Sequence, residues 1–195
     1  MIAFVFPGQG SQRVGMGRAL VDAFAVCRET FEQADDTLGE PLSRLCFEGP
    51  EDRLTLTENT QPAVLAMSVA AHRLLTSRGH APSFVAGHSL GEYSAHVAAG
   101  TLAFADALRT VRRRGRYMQE AVPVGIGAMA AVFGLDADRV RQACDEASEG
   151  EVVSAANFNA PGQVAIAGTR AAVERAGVRA RELGARRVYP LPVSA

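Results

Sequence analysis

Lysine is absent from this chain of 195 residues, so all 20 basic side chains are arginine. A P-loop lysine and any Schiff-base lysine are thereby excluded. Cysteine is scarce: Cys27, Cys46 and Cys144 are far apart, odd in number and without CxxC spacing. Such a set reads as reduced core thiols in a cytosolic protein, with no metal site expected. An excess of charge is lacking too, the net being −1, so no global field recruits nucleic acid or a membrane. No apolar run is long enough to cross a bilayer. Residues 1–6 are apolar but meet Pro7-Gly8-Gln9-Gly10 at once, with no basic leader, which is unlike a signal peptide. What remains is an ordinary globular composition, 48% hydrophobic and 21% charged, enough for one sizeable domain or a domain with a small lobe.

The pattern along the chain predicts an α/β fold. Ile2–Phe6 reads as a buried strand ending in a Gly-rich turn. Residues 17–56 read as short helices with polar faces. Thr60–Arg78 reads as a buried helix, apolar almost all round, with Pro62 near its start and Gly79 past its end. Ser83–Gly87 is a short strand, Leu90–Ala99 a helix closed by Gly100, and Phe104–Val122 a long amphipathic helix.

After Pro123 the texture changes. Gly127–Phe133 is a strand, Asp136 caps a helix to about Ser148, and Glu151–Asn157 and Gln163–Gly168 are strands joined by Asn159-Ala160-Pro161-Gly162. Ala171–Leu183 is a helix and Arg186–Val193 a strand. That order, βαββαβ, predicts a small ferredoxin-like α+β lobe. The expected division is residues 1–123 as part of a larger catalytic subdomain, a short parallel sheet with flanking helices, with a boundary near Val124. Residues 124–190 form the lobe, and 191–195 begin a return to the larger subdomain.

Gly87-His88-Ser89-Leu90-Gly91 matches G-x-S-x-G between a strand and a helix, the setting of a nucleophile elbow. The glycines are required because the turn is tight and neighbouring backbone packs close. Ser89 is the candidate nucleophile. Acyl transfer needs donors for a developing oxyanion. The Leu90 N–H follows the nucleophile, and the Gln9 N–H in the loop after the first strand is the second candidate. That loop is not a dinucleotide fingerprint, because Arg13 stands where a third glycine belongs.

Serine also needs a base, and the four histidines are badly placed. His88 neighbours Ser89 and points to the other face. His96 is roughly 10 Å along the next helix. His80 lies at the opposite end of the strand, and His72 is inside a buried helix. Among the arginines of helix 104–122, Arg114 lies about 70° from the centre of the apolar stripe at 100° per residue, whereas Arg109, Arg113 and Arg116 are much further round. A guanidinium turned inward needs an anion. Either a substrate carboxylate or an internal ion pair satisfies that need.

Phe6-Pro-Gly-Gln-Gly-Ser-Gln12, Gln61-Pro62, Gly87-His-Ser-Leu-Gly-Glu-Tyr-Ser94, Arg114-Gly115 before Met118-Gln-Glu120, and Asn157-Phe-Asn-Ala-Pro-Gly-Gln163 together resemble successive motifs of malonyl-CoA:acyl-carrier-protein transacylases, over the whole chain. The resemblance implies an α/β core with a small ferredoxin-like lobe. It also implies a Ser89 that takes malonyl from malonyl-CoA and passes it to the phosphopantetheine thiol of acyl carrier protein, with no cofactor of its own. It suggests Gln9 and Leu90 as oxyanion donors, Arg114 as the malonyl carboxylate anchor, His88 as a neighbour of the nucleophile rather than its base, and Asn157 in the cleft. The resemblance further implies that Leu90 in this motif favours malonyl over methylmalonyl.

Family members continue past Pro192-Val-Ser-Ala195 to the catalytic His, so the chain as written is expected to turn over poorly and to expose apolar surface at its sheet. A serine acyl hydrolase of similar fold and a chain without chemistry are the rival readings.

Overall fold

The computed structural model describes residues 1–123 and 125–191. Among these the chain divides into two compact units, Met1–Glu120 and Ala121–Ala195. Val124, at the expected boundary, and residues 192–195, at the expected return, lie outside the described residues.

In the first unit, β1 (Ala3–Phe6) pairs with β2 (Phe84–Gly87) in parallel, from Ala3 opposite Phe84 to Phe6 opposite Gly87. The helices are α1 (Arg18–Ala23), α2 (Ala25–Leu38), α3 (Leu42–Glu48), α4 (Glu51–Thr55), α5 (Thr57–Ser77), α6 (Leu90–Ala98) and α7 (Phe104–Ala121). The apolar core is built almost wholly by helices. Phe31, Leu42, Leu54, Leu65, Val69, Leu90, Leu108 and Val111 pack in one cluster.

Two expectations need correction here. β1 is not a buried strand: Phe6 is buried but Val5 is 76% exposed, and Phe84 on β2 is 61% exposed. A two-stranded sheet has two faces, and only the one carrying Phe4, Phe6 and Val85 is packed, with His72 of α5 meeting the edges of the Phe4 and Phe6 rings. The α5 helix starts three residues before the expected Thr60. The Leu56 carbonyl accepts from the Asn59 and Thr60 amides and nucleates the first turn, so Pro62 falls inside the helix. Its first half is buried, and the half beyond Ala70 becomes progressively exposed.

In the second unit, β3 (Gly127–Phe133), α8 (Ala137–Ala147), β4 (Val153–Ala160), β5 (Gln163–Thr169), α9 (Arg170–Glu182) and β6 (Arg187–Leu191) form one layer of strands and one of helices. The sheet order is β4-β5-β3-β6, every neighbouring pair antiparallel. Hence β3 and β4 run parallel with β5 between them, and β5 and β6 run parallel with β3 between them, which is a doubled split-βαβ arrangement. Asp136 caps α8 by accepting from the Arg139 amide at 2.9 Å, and Thr169 caps α9. Val132, Val164 and Ile166 of the sheet pack against Val140 and Cys144 of α8 and Val173 and Ala176 of α9.

Candidate active site

The parallel register of β1 and β2 brings both strands to an end side by side, with Phe6 opposite Gly87. The turns leaving the two strands therefore share one edge. They are in contact: the His88 amide donates to the Phe6 carbonyl at 3.2 Å, and a Cβ placed on Gly8 would lie 2.7 Å from the His88 carbonyl oxygen.

Ser89 joins β2 to α6 with φ 52° and ψ −107°. Left-handed backbone at a residue with a side chain costs about 1–3 kcal/mol and persists only where the surroundings enforce it. The enforcement is visible in the flanking glycines. A Cβ on Gly87 would sit 2.0 Å from the Gly91 carbonyl atoms, and one on Gly91 would sit 2.2 Å from the Phe6 carbonyl oxygen. The first turn of α6 is thus folded back onto the ends of both strands, and Ser89 is held at the apex, partly exposed.

Ser89 Oγ has one hydrogen-bond partner among the described residues: it accepts from Arg114 Nη2 at 2.9 Å. The guanidinium also donates through Nη1 to Gln61 Oε1 at 2.7 Å and lies over the Tyr93 ring, 5.9 Å from its centroid. All three partners are neutral. Among the described residues no carboxylate lies within ion-pair distance of Arg114, so among them the internal ion pair left open by the sequence is not formed. Its neighbour Arg112 is instead the ion-paired and buried arginine of α7, joined to Glu40.

Gln61 is fully buried. Its amide is fixed at both ends, Nε2 facing Met118 Sδ at 3.2 Å while Oε1 takes the guanidinium. Only the Gln61-Pro62 motif marked it in the sequence. Its contact with Arg114 spans 53 positions, which no local pattern reveals.

The Gln9 side chain donates to Thr57 Oγ1 at 3.0 Å, which ties the loop after β1 to the start of α5. Gln9 follows Gly8, the residue packed on His88. Leu90 is fully buried and opens α6. Among the described residues neither the Gln9 nor the Leu90 amide donates a hydrogen bond within the protein. Both stand at the strand-end edge, and the Leu90 N–H is at a helix N-terminus, where partial positive charge accumulates.

His88 is exposed beside the nucleophile. His96 Nδ1 meets Thr101 Oγ1 at 2.9 Å at the far end of α6. His72 packs on Phe4 and Phe6, half-buried rather than buried. No histidine bonds to Ser89 Oγ among the described residues. Asn157 belongs to the second unit, on β4 opposite Ala165, just after a bulge that breaks the register between Ala155 and Asn157. No group of three or more metal-ligating side chains occurs among the described residues, and no helix there is long and apolar enough to cross a membrane.

A strained serine between a strand and a helix, with amides at the same edge that donate to nothing among the described residues, has the form of a nucleophile elbow. The family described as "Acyl transferase domain" matches residues 3–189, and the chain belongs to that family. It is similar to the malonyl CoA-acyl carrier protein transacylase of Escherichia coli (strain K12), at 55% identity over 193 residues, 98% of this chain and 62% of that protein. It is also similar to that of Bacillus subtilis (strain 168), at 53% identity over 99% of this chain and 61% of that protein.

Among solved structures, a malonyl-transacylase in complex with its type II PKS acyl-carrier protein superposes with a TM-score of 0.92 at 53% identity, covering all of this chain and 63% of that one. The transacylase of Coxiella burnetii gives 0.93 at 46% identity, over 100% and 62% of the two chains. The chain thus spans about 62% of the length of the curated relatives it matches.

Proposed function

We propose that Ser89 accepts a malonyl group from malonyl-CoA and passes it to the phosphopantetheine thiol of an acyl carrier protein. The observation that carries the reading is the Arg114 guanidinium, held by neutral partners 2.9 Å from the serine oxygen. A half-buried guanidinium held by neutral groups and lacking an anion recruits one, and the malonyl carboxylate lies only one methylene beyond the carbonyl that Ser89 attacks.

In the first step Ser89 Oγ adds to the thioester carbonyl, the C–S bond breaks, and the serine proton leaves with the CoA thiol. In the second the carrier thiol adds to the ester carbonyl, the C–O bond breaks, and Oγ recovers a proton. Gln9 and Leu90 are proposed to donate their amides to the oxyanion in both steps. Arg114 also favours the serine alkoxide electrostatically. His88 is proposed as a wall beside the nucleophile and Asn157 as a cleft residue. None of the four histidines is proposed as the base, and an external base such as imidazole is proposed to accelerate acylation. The chemistry requires neither metal nor cofactor. Three free, buried thiols support a reducing, cytoplasmic setting. The names of the relatives, at 53–55% identity, support malonyl and acyl carrier protein as substrates.

The test is stoichiometric labelling. Malonyl-CoA with imidazole should place one malonyl ester on Ser89, mapped by peptide mass spectrometry, and holo acyl carrier protein should then remove it as malonyl carrier. Release mainly as free malonate would make the protein a hydrolase. Labelling that persists in Ser89→Ala would end the assignment.

A further inference from the structure

We propose that Arg112 is a positioning residue for Arg114, setting the register of α7 on α5 and hence the malonyl preference of Ser89. The inference rests on Arg114 as the carboxylate anchor. Two guanidinium–amide rungs link the helices at the same offset of 53 positions: Arg112 Nη1 donates to Asn59 Oδ1 at 2.6 Å, and Arg114 Nη1 donates to Gln61 Oε1 at 2.7 Å. Between these rungs and the helix start there is no slack. A Cβ on Gly115 would meet Glu58 Cα at 2.6 Å and the Thr57 carbonyl oxygen at 2.8 Å.

Arg112 is 6% exposed and forks between Asn59 and the Glu40 carboxylate, while Asn59 is itself tied to the Arg53 carbonyl at 2.8 Å. The first rung is therefore anchored to the turn between α2 and α3 through Glu40 and to α4 through Arg53. The second rung ends on the reacting oxygen. Sliding α7 by one residue moves Arg114 by about 1.5 Å, enough to break its 2.9 Å bond to Ser89. Displacements of about 1 Å at a reacting centre cost about a hundredfold in rate. Burial pushes the Arg112 pKa down to about 10, with Arg116 adding to the effect. The side chain remains charged at neutral pH.

The experiment measures single-turnover labelling of Ser89 by malonyl-CoA and by acetyl-CoA, with imidazole present, in the wild type, Arg112→Met and Arg114→Met. The expected result for Arg112→Met is a malonyl labelling rate lowered up to about a hundredfold, and a malonyl-to-acetyl ratio lowered with it. A residue that only supports folding would lower the labelled fraction for both donors alike and leave their ratio intact. An unchanged ratio in folded Arg112→Met, alongside a lost ratio in Arg114→Met, overturns this inference alone. A preserved malonyl preference in Arg114→Met overturns the anchor as well. If Arg112→Met does not fold, Asn59→Ser removes the same rung from the other side and is read by the same two outcomes.

Discussion

Substituting Gly91 by alanine isolates what the last glycine of the elbow motif does. Gly91 lies in α6 and, unlike many glycines here, does not occupy the left-handed region. Its backbone therefore accepts a side chain, and α6 would gain about 1 kcal/mol of helix propensity. The added Cβ, however, would stand 2.2 Å from the Phe6 carbonyl oxygen and 2.8 Å from the Phe6 carbonyl carbon and the Pro7 carbonyl oxygen. An ordinary C···O approach is about 3.3–3.6 Å, so α6 and β1 must separate by about 1 Å.

Neither side yields easily. Phe6 is paired with Gly87 and accepts from the His88 amide, while Leu90 and Ser94 hold α6 in the core at 0% exposure. Overpacking costs about 1–3 kcal/mol where side chains can rotate away. Backbone cannot rotate, so the upper figure applies, and the net loss after the propensity gain is about 2 kcal/mol. Urea unfolding should show a midpoint lowered by about 1 M with an unchanged slope, together with loss of Ser89 labelling. Gly177→Ala in α9 is the control. Its Cβ meets only the Val188 side chain, at 3.3 Å, so the same propensity gain should leave stability equal or higher. A wild-type midpoint and normal labelling in Gly91→Ala would refute the claim that close packing on β1 holds the elbow.

Ser89→Gly should abolish labelling yet stabilise the protein by about 1 kcal/mol, because glycine relieves the left-handed backbone at φ 52°. Equal or lower stability by urea titration would mean that the turn stores no strain. His72 has no partner for its buried Nδ1 among the described residues, and burial, then Arg73, holds its pKa below the ordinary 6.5. The unfolded chain therefore binds more protons below pH 6.5, so stability should fall as pH drops from there through the depressed folded value. His72→Leu should flatten that slope, and a slope that persists would place the titration elsewhere. Val5 and Phe84 are exposed on one face of the two-stranded sheet; Val5→Thr with Phe84→Ser should reduce the fluorescence of a hydrophobic dye, and unchanged fluorescence would show that this face is not what the dye reads.

The elements themselves were largely readable from local signals. Asp136 ahead of α8, Gly100 after α6 and the alternation along Gly127–Phe133 each place a boundary to within a residue or two. Pro62 misled, since the Leu56 carbonyl starts α5 earlier than a proline-first rule predicts. The apolar composition of β1 suggested burial, but burial depends on how many layers cover a strand, and the strand's own residues do not contain that information.

The sequence by itself determined the elbow. Gly87, Ser89 and Gly91 fall within five consecutive residues, and the close approach of Gly87 to the Gly91 carbonyl acts within that one turn, so the motif marks the strained backbone directly, although Gly91 also packs on the distant Phe6 carbonyl. Tertiary structure decided the rest of the site. Arg114 was legible from its place near the apolar stripe of α7, but only the packing set its guanidinium on the serine oxygen and supplied Gln61 and Tyr93 as neutral partners in place of an acid. Those choices depend on how α7 lies against α5 and α6. Contacts across some fifty positions are set by packing of whole helices, which no short window of residues encodes.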